Sequence, residues 1–177
     1  WRTRIATGII KWCLNNFKKY VFLTEAMNVV NERKRPYIVM EGMSDRFMAT
    51  YKRPFEAKDI KVVMYAGGLH ERYGLKKLTE AFMMLPQENF RLKLFGSGPF
   101  VEKLKTKYTK KDSRIQYMGV APNAEVVAAE LDASLLVNPR PTHEEFTKYS
   151  FPSKNIEYMA SGTPLLTTKL PGMPKEY

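Results

Sequence analysis

Between Lys61 and Thr167, five short apolar runs of strand length alternate with stretches of helical periodicity. That rhythm leaves few folds open. The runs are 61–66 (KVVMYA), 91–95 (RLKLF), 115–118 (IQYM), 134–137 (SLLV) and 164–167 (PLLT). Between the first two, Leu75, Leu78, Phe82 and Leu85 fall on one helical face, and Pro86 ends that helix. Further helices are expected from Pro99 to about Tyr108, over Glu125–Leu131, and from Pro152 to Gly162, the last with proline at its start and glycine past its end. Strands and helices in strict alternation predict βαβ units: an α/β chain with a Rossmann-like, doubly wound parallel sheet. Ligands of such sheets bind beyond the carboxyl ends of the strands. The loops to inspect are therefore 67–74, 96–99, 119–123, 138–153 and the chain from Lys169 onward.

The first 42 residues read differently. Ile5, Ile9, Ile10, Cys13, Leu14 and Phe17 mark one face of a helix with Arg2, Arg4, Lys11 and Lys18 among them. Such a helix either packs on a further domain or lies on a membrane surface. Tyr20–Leu23 and Tyr37–Met40 read as strands, and Thr24 stands where it can cap a helix starting at Glu25. Residues 43–60 have mixed charge, Pro54 and no clean period, and are expected to be a linker. The chain carries a net charge of +11, and residues 1–35 hold eight Lys or Arg against Glu25 and Glu32. Nucleic acid, anionic lipid or a phosphorylated substrate all suit that field, and composition does not choose among them. Lys103, Lys105, Lys107, Lys110 and Lys111 form a second basic run, read as a solvated face or a membrane contact. No stretch is apolar enough for a spanning helix, and one cysteine, Cys13, excludes an internal disulfide framework. A chain that begins at Trp1 reads as a fragment or a trimmed protein.

Three loops carry the chemistry. Gly67-Gly68 after the first strand lets backbone pass close to a ligand, the next helix start favours a phosphate, and Arg72 in the same loop can add a charge-assisted bond. Gly96-x-Gly98 is a partial dinucleotide fingerprint. Val101 stands where the third glycine belongs, and no acidic residue closes the strand at 115–118, so a tight turn beside a ligand is the better reading. In the third, Pro152 is expected to fix the first turn of a helix, leaving the amides of Ser153 and Lys154 for an anion. Glu157 lies one turn on, with Ile156, Met159 and Ala160 expected to pack inward. A carboxylate at the rim of a sheet can accept bonds from two sugar hydroxyls.

The string FPSKNIEYMASGTPLLTT resembles the donor-site segment of family 4 glycosyltransferases, retaining enzymes of the GT-B fold marked by E-x(7)-E. YAGGLHERYG, LKLFGSGP, IQYMGVAPNAEV and LDASLLVNPR are similar to further segments of that donor domain and stand in the same order. VFLTEAMN and YIVMEGMSD resemble the end of the acceptor domain and the interdomain linker. The resemblance is strongest to bacterial enzymes that build capsular and other surface polysaccharide.

It implies an acceptor-domain remnant at 1–42, a linker at 43–60 and a donor domain at 61–177. It also implies a metal-independent, hexosyltransferase-like transfer from a nucleotide diphosphate sugar, with retention, to a glycan or polyprenyl-linked acceptor. No cofactor is implied beyond that co-substrate, and no nucleic acid. The expected location is cytoplasmic, at the inner face of the membrane.

Carried over by position, Glu157 holds the ribose, Pro152–Lys154 and Gly67-Gly68 the diphosphate, with Gly96 and Gly98 beside them, and Met118, Gly119 and Val120 line the base. The family's first glutamate falls on Tyr149, with Glu144 or Glu145 as the alternative from the preceding loop. Its loop arginine and lysine fall on Gly68 and Tyr73, where Arg72 and Lys154 are the substitutes. The resemblance further implies a chain that stops before the last strand and the returning helix of that domain, and a piece that does not turn over alone. Two other readings stay open: a basic nucleic-acid-binding α/β module, and a degenerate nucleotide-binding partner subunit.

Overall fold

The computed structural model describes residues 2–44 and 59–177, so most of the expected linker, including Pro54, lies outside the described residues. The chain divides into two compact units. One comprises Met43–Thr142 with Pro152–Lys169, and the other Trp1–Gly42, His143–Phe151 and Leu170–Tyr177.

The first of these holds a five-stranded, wholly parallel sheet: β3 (Lys61–Ala66), β4 (Phe90–Phe95), β5 (Ile115–Gly119), β6 (Leu135–Asn138) and β7 (Leu165–Thr167), in the order β5-β4-β3-β6-β7. The direction of winding reverses at β3, because β4 and β5 lie on one side of it and β6 and β7 on the other. Strands buried on both faces need apolar residues at successive positions, which is why each appears in the sequence as a continuous run.

Alternate side chains of β3 serve two separate cores. Val63 and Tyr65 join Leu92 and Leu94 of β4 under α2 (Leu75–Met83) and the helix that begins with α3 (Phe100–Lys103). Met64 and Ala66 face the other way, with Leu136 and Tyr158, and Val126 and Ala129 of α5 (Asn123–Asp132) pack against them. Helices on both faces make the sheet doubly wound. The helix from α3 passes through a π-helical turn at Leu104–Tyr108 and a last turn, α4 (Thr109–Lys111), and so runs beyond the expected end at Tyr108. Its lysines are partly engaged: Lys103 pairs with Glu71 at 2.7 Å, and Lys105 lies over the ring of Tyr117.

In the second unit, α1 (Arg2–Asn16) forms where the spacing predicts it, and Ile9, Ile10, Trp12 and Phe17 are all more than half exposed. β1 (Tyr20–Phe22) and β2 (Tyr37–Val39) pair in parallel, and the Phe22 ring stacks on Tyr20 and meets Tyr37 at a tilt. The expectation for Thr24 needs correction. The helix after it is a 3₁₀ segment, Glu25–Val30, and the Thr24 side chain makes no cap bond. Its hydroxyl donates instead to the carbonyl of Lys148, 3.0 Å away and 124 residues on in sequence.

Candidate functional site

Because all five strands run the same way, the loops after β3, β4, β5 and β6 open at one edge of the sheet. They are stitched together through backbone. Gly67 N–H donates to Phe95 C=O at 3.1 Å, Leu69 N–H to Ser97 C=O at 2.8 Å, and Gly96 N–H to Gly119 C=O at 2.7 Å. This closeness requires glycine. Gly96 has φ +122, and a Cβ there would lie 1.9 Å from the carbonyl oxygen of Gly67. Gly98 is similar, with its Cβ position 2.3 Å from the carbonyl oxygen of Leu69. The partial fingerprint is thus a contact between two loops, as a tight turn requires. Tyr65, pushed up to about 12 by burial, donates its hydroxyl to Gly68 C=O at 3.1 Å and braces the first loop from below.

β5 ends in an irregularity. Leu94 pairs with Tyr117 but Phe95 with Gly119, so Met118 is the unpaired extra residue, 43% exposed. Val120 beyond it is also exposed, which leaves two apolar side chains uncovered at the rim. Tyr117 turns its hydroxyl to Gly96 C=O at 3.1 Å.

The helix of the third loop, α6, runs Ser153–Ser161, and Pro152 is its cap residue, one place before the first turn where the sequence reading had put it. The first amide to bond back is Asn155 N–H, to Pro152 C=O at 2.8 Å, so those of Ser153 and Lys154 precede the helical ladder. Gly162 closes the helix in the left-handed conformation, φ +74. The inward face also differs from expectation. Asn155, Tyr158 and Ser161 are buried, whereas Met159 is exposed and Ile156 and Ala160 are only half-buried. Polar partners decide this. Tyr158, fully buried, clamps Ala66 at the end of β3, accepting from its N–H at 2.8 Å and donating to its C=O at 3.2 Å. Asn155 accepts from the Asn138 side chain at 2.6 Å and donates to Thr167 Oγ1 at 3.2 Å, joining α6 to the ends of β6 and β7.

Glu157 and Lys154 stand on the adjoining face, 23% and 31% exposed, with Lys154 Nζ 2.7 Å from Glu157 Oε2. The same ammonium lies 3.4 Å from Oε1 of Glu130, a fully buried carboxyl on α5. Glu130 Oε2 has no hydrogen-bond partner. Burial, reinforced by the nearby charge of Glu157 and opposed by Lys154, raises its pKa to about 7. Glu130 was missed in the sequence, although one signal was there: it lies four residues after Val126, on the face that packs on the sheet. Lys154, read as a substitute for lost loop charge, is held between two carboxylates.

Arg72 lies in a 3₁₀ turn, Glu71–Tyr73, with its guanidinium 5.2 Å from the centroid of the Tyr73 ring. A second guanidinium, that of Arg140, lies 4.9 Å from the same centroid. Arg140 was not singled out from sequence either. The remaining candidates, Glu144, Glu145 and Tyr149, belong to the other unit. Glu145 opens a 3₁₀ turn, Glu145–Lys148, His143 Nε2 is 3.7 Å from Glu144 Oε1, and Tyr149 is 40% exposed. Among the described residues no group of three or more His, Cys, Asp or Glu could hold a metal ion, and no helix is long and apolar enough to cross a membrane.

Residues 60–177, two thirds of the chain, match the family of glycosyl transferases group 1. The chain belongs to that family. A colanic acid biosynthesis glycosyltransferase by name, WcaL of Escherichia coli (strain K12), is 30% identical over 112 residues, which are 60% of this chain and 27% of WcaL. Sucrose-phosphate synthase from Thermosynechococcus elongatus superposes with a TM-score of 0.69 at 20% identity, over 93% of this chain and 44% of the synthase. Anabaena HepE, solved with UDP and glucose, gives a TM-score of 0.59 at 15% identity, over 96% of this chain and 48% of HepE. This group 1 chain therefore spans less than half the length of these relatives, and its five-stranded parallel sheet corresponds to the C-terminal Rossmann-like domain of the GT-B fold.

Proposed function

We propose that this chain carries the donor site of a retaining glycosyltransferase. In this reading the site takes a nucleotide diphosphate sugar, and the sugar passes to a glycan or lipid-linked acceptor in surface polysaccharide synthesis. The observation that carries the proposal is the convergence, at one edge of a parallel sheet in a group 1 chain, of two glycine loops, the first amides of α6 and the paired Lys154 and Glu157. The role suggested for WcaL by its name supports the choice of acceptor class, and the UDP and glucose bound to HepE support the choice of donor.

Each group has a share in the chemistry. The amides of Ser153 and Lys154, at the positive end of the α6 dipole, meet the diphosphate. Gly67 and Gly68 let backbone approach it with no Cβ in between. Glu157 accepts from the ribose hydroxyls, with Lys154 Nζ, 2.7 Å away, holding its carboxylate in place. Met118 and Val120, exposed beside Gly119, give the base an apolar rest. The charge that must be stabilised in sugar transfer develops on the departing diphosphate, which is where amides and cations are placed. Tyr149, with Glu144 or Glu145 as the alternative, is the candidate by position for the family's first motif glutamate, and the domain division at 42 and 60 implied by the resemblance is part of this proposal. No metal is required in the scheme.

The experiment is calorimetric titration of the protein with UDP, GDP and ADP, beside Glu157→Ala. One diphosphate is expected to bind selectively, and the variant to bind it roughly 10- to 100-fold more weakly, the worth of hydrogen bonds to a charged group. Equal affinity in the variant would remove Glu157 from the site.

A further inference from the structure

Glu130 is fully buried and touches no ligand, yet it shares a cation with Glu157. Lys154 Nζ lies 2.7 Å from Glu157 Oε2 but 3.4 Å from Glu130 Oε1, and Glu130 Oε2 meets no donor. A buried carboxylate with one long contact and one unmet oxygen is poorly solvated, which favours its acid form. Glu157 adds to this, since its carboxylate can take the O–H of that acid. The strands under α5 offer Met64, Ala66 and Leu136, so the titratable groups facing Glu130 are Lys154, Glu157 and Tyr158, all of α6. Tyr158 is committed to the backbone of Ala66, which leaves the lysine and the glutamate to respond. With Glu130 protonated, the charge of Lys154 goes whole to Glu157. With Glu130 ionised, the ammonium is divided between two carboxylates that repel each other. Glu130 itself is anchored, Thr163 Oγ1 donating to its main-chain carbonyl at 2.9 Å, so the partly exposed Glu157 is the one that gives way.

We propose that Glu130 is a positioning residue of the donor site: as an acid it leaves Lys154 to hold Glu157 in place, and its ionisation weakens the grip of Glu157 on the ribose. This rests on the donor-site reading for the identity of the ligand. Burial puts the change near neutral pH, since it raises the pKa of Glu130 to about 7. The sign follows from the acid being the competent form. Donor binding is strong below about pH 6 and declines as pH rises through about 7.

The probes are UDP, GDP, ADP and inorganic pyrophosphate, titrated at pH 6 and pH 8 into the protein and its Glu130→Gln variant. Phosphates titrate in the same interval, but equally for both proteins, so the ratio of the two affinities is what is read. For the nucleoside diphosphate that binds, the wild type is expected to lose about 10-fold against Glu130→Gln between the two pH values, as its competent fraction falls from about nine tenths to about one tenth. For pyrophosphate, which has no ribose, the ratio should stay constant. A constant ratio for the nucleoside diphosphate, or a loss of the same size for pyrophosphate, overturns the proposal. By linkage the bound ligand raises the proton affinity of Glu130 by the same factor, about 10-fold. Carbon-13 NMR of the Glu130 carboxyl in the wild type reads that directly and needs no variant to fold. A carboxyl that titrates alike with and without the ligand also overturns the proposal. Each of these results leaves donor binding itself standing, whereas a wild type that binds none of the three at either pH sinks the donor reading and this proposal with it.

Discussion

Gly96→Ala is expected to lower stability by about 4 kcal/mol, the sum of a φ that side chains rarely adopt and an overpacked contact. For a chain of this size that is a fall of roughly 8–16 °C in the thermal midpoint. The reason is specific. The added methyl would meet the carbonyl oxygen of Gly67 at 1.9 Å, and both partners are backbone, so no side chain can rotate away. The two loops must separate, and the site they form goes with them. Gly162→Ala is the matched control. Its φ is +74, but nothing lies within 4 Å of the Cβ position, so only the conformational cost remains, about 1 kcal/mol. Thermal unfolding of both variants separates the terms. Equal, small losses at the two positions would contradict the close approach of the first two loops.

The second large effect is one of pH. Glu130 has its pKa raised from 4.5 to about 7, so between those values the folded protein binds a proton the unfolded chain has released. Stability from this group is therefore fully present below about pH 4.5 and is lost progressively as pH rises through about 7. A shift of that size is worth about 3 kcal/mol. Glu130→Gln keeps the shape and removes the titration. The charged groups facing position 130 are Lys154 and Glu157, and both remain in the variant. Urea unfolding at pH 5 and pH 8 should show the variant gaining about 3 kcal/mol on the wild type over that interval. Parallel behaviour at the two values would mean that Glu130 is held as a carboxylate throughout.

The fold was legible because parallel strands buried on both sides have no polar face to hide. Lys61–Ala66, Arg91–Phe95 and the three later runs all became strands of one sheet. Glycine and proline marked the loops for equally local reasons, as Gly96 and Gly162 show. What the sequence could not supply was the partner of a polar side chain. Tyr158 and Asn155 turn inward, and Met159 outward, because Ala66 and Asn138 meet them from 92 and 17 residues away. A helix read by hydrophobicity alone turns the wrong way under such bonds. Thr24 follows the same logic, leaving its cap position for the carbonyl of Lys148.

In the candidate site, Gly67, Gly68, Gly96, Gly98, Lys154 and Glu157 were found by their position after strands and within one recognisable string. Arg140 and Glu130 were not: an arginine after a proline carries no signal of its own, and the place of Glu130 four residues after Val126 gives its helix face but not its partners. Only the adjacency of β6 to β3, and of α5 to α6, gives them their neighbours.

The central claim is that the carboxyl edge of this sheet holds a nucleoside diphosphate. Amide chemical shifts of the ¹⁵N-labelled protein, followed as UDP, GDP and ADP are added, test it most directly. The account predicts that one of them moves the signals of Gly67, Gly68, Gly119, Ser153 and Lys154 together, with saturation at a common affinity. Shifts confined to the lysine-rich helix at 103–111, or none at the loop glycines, would contradict it.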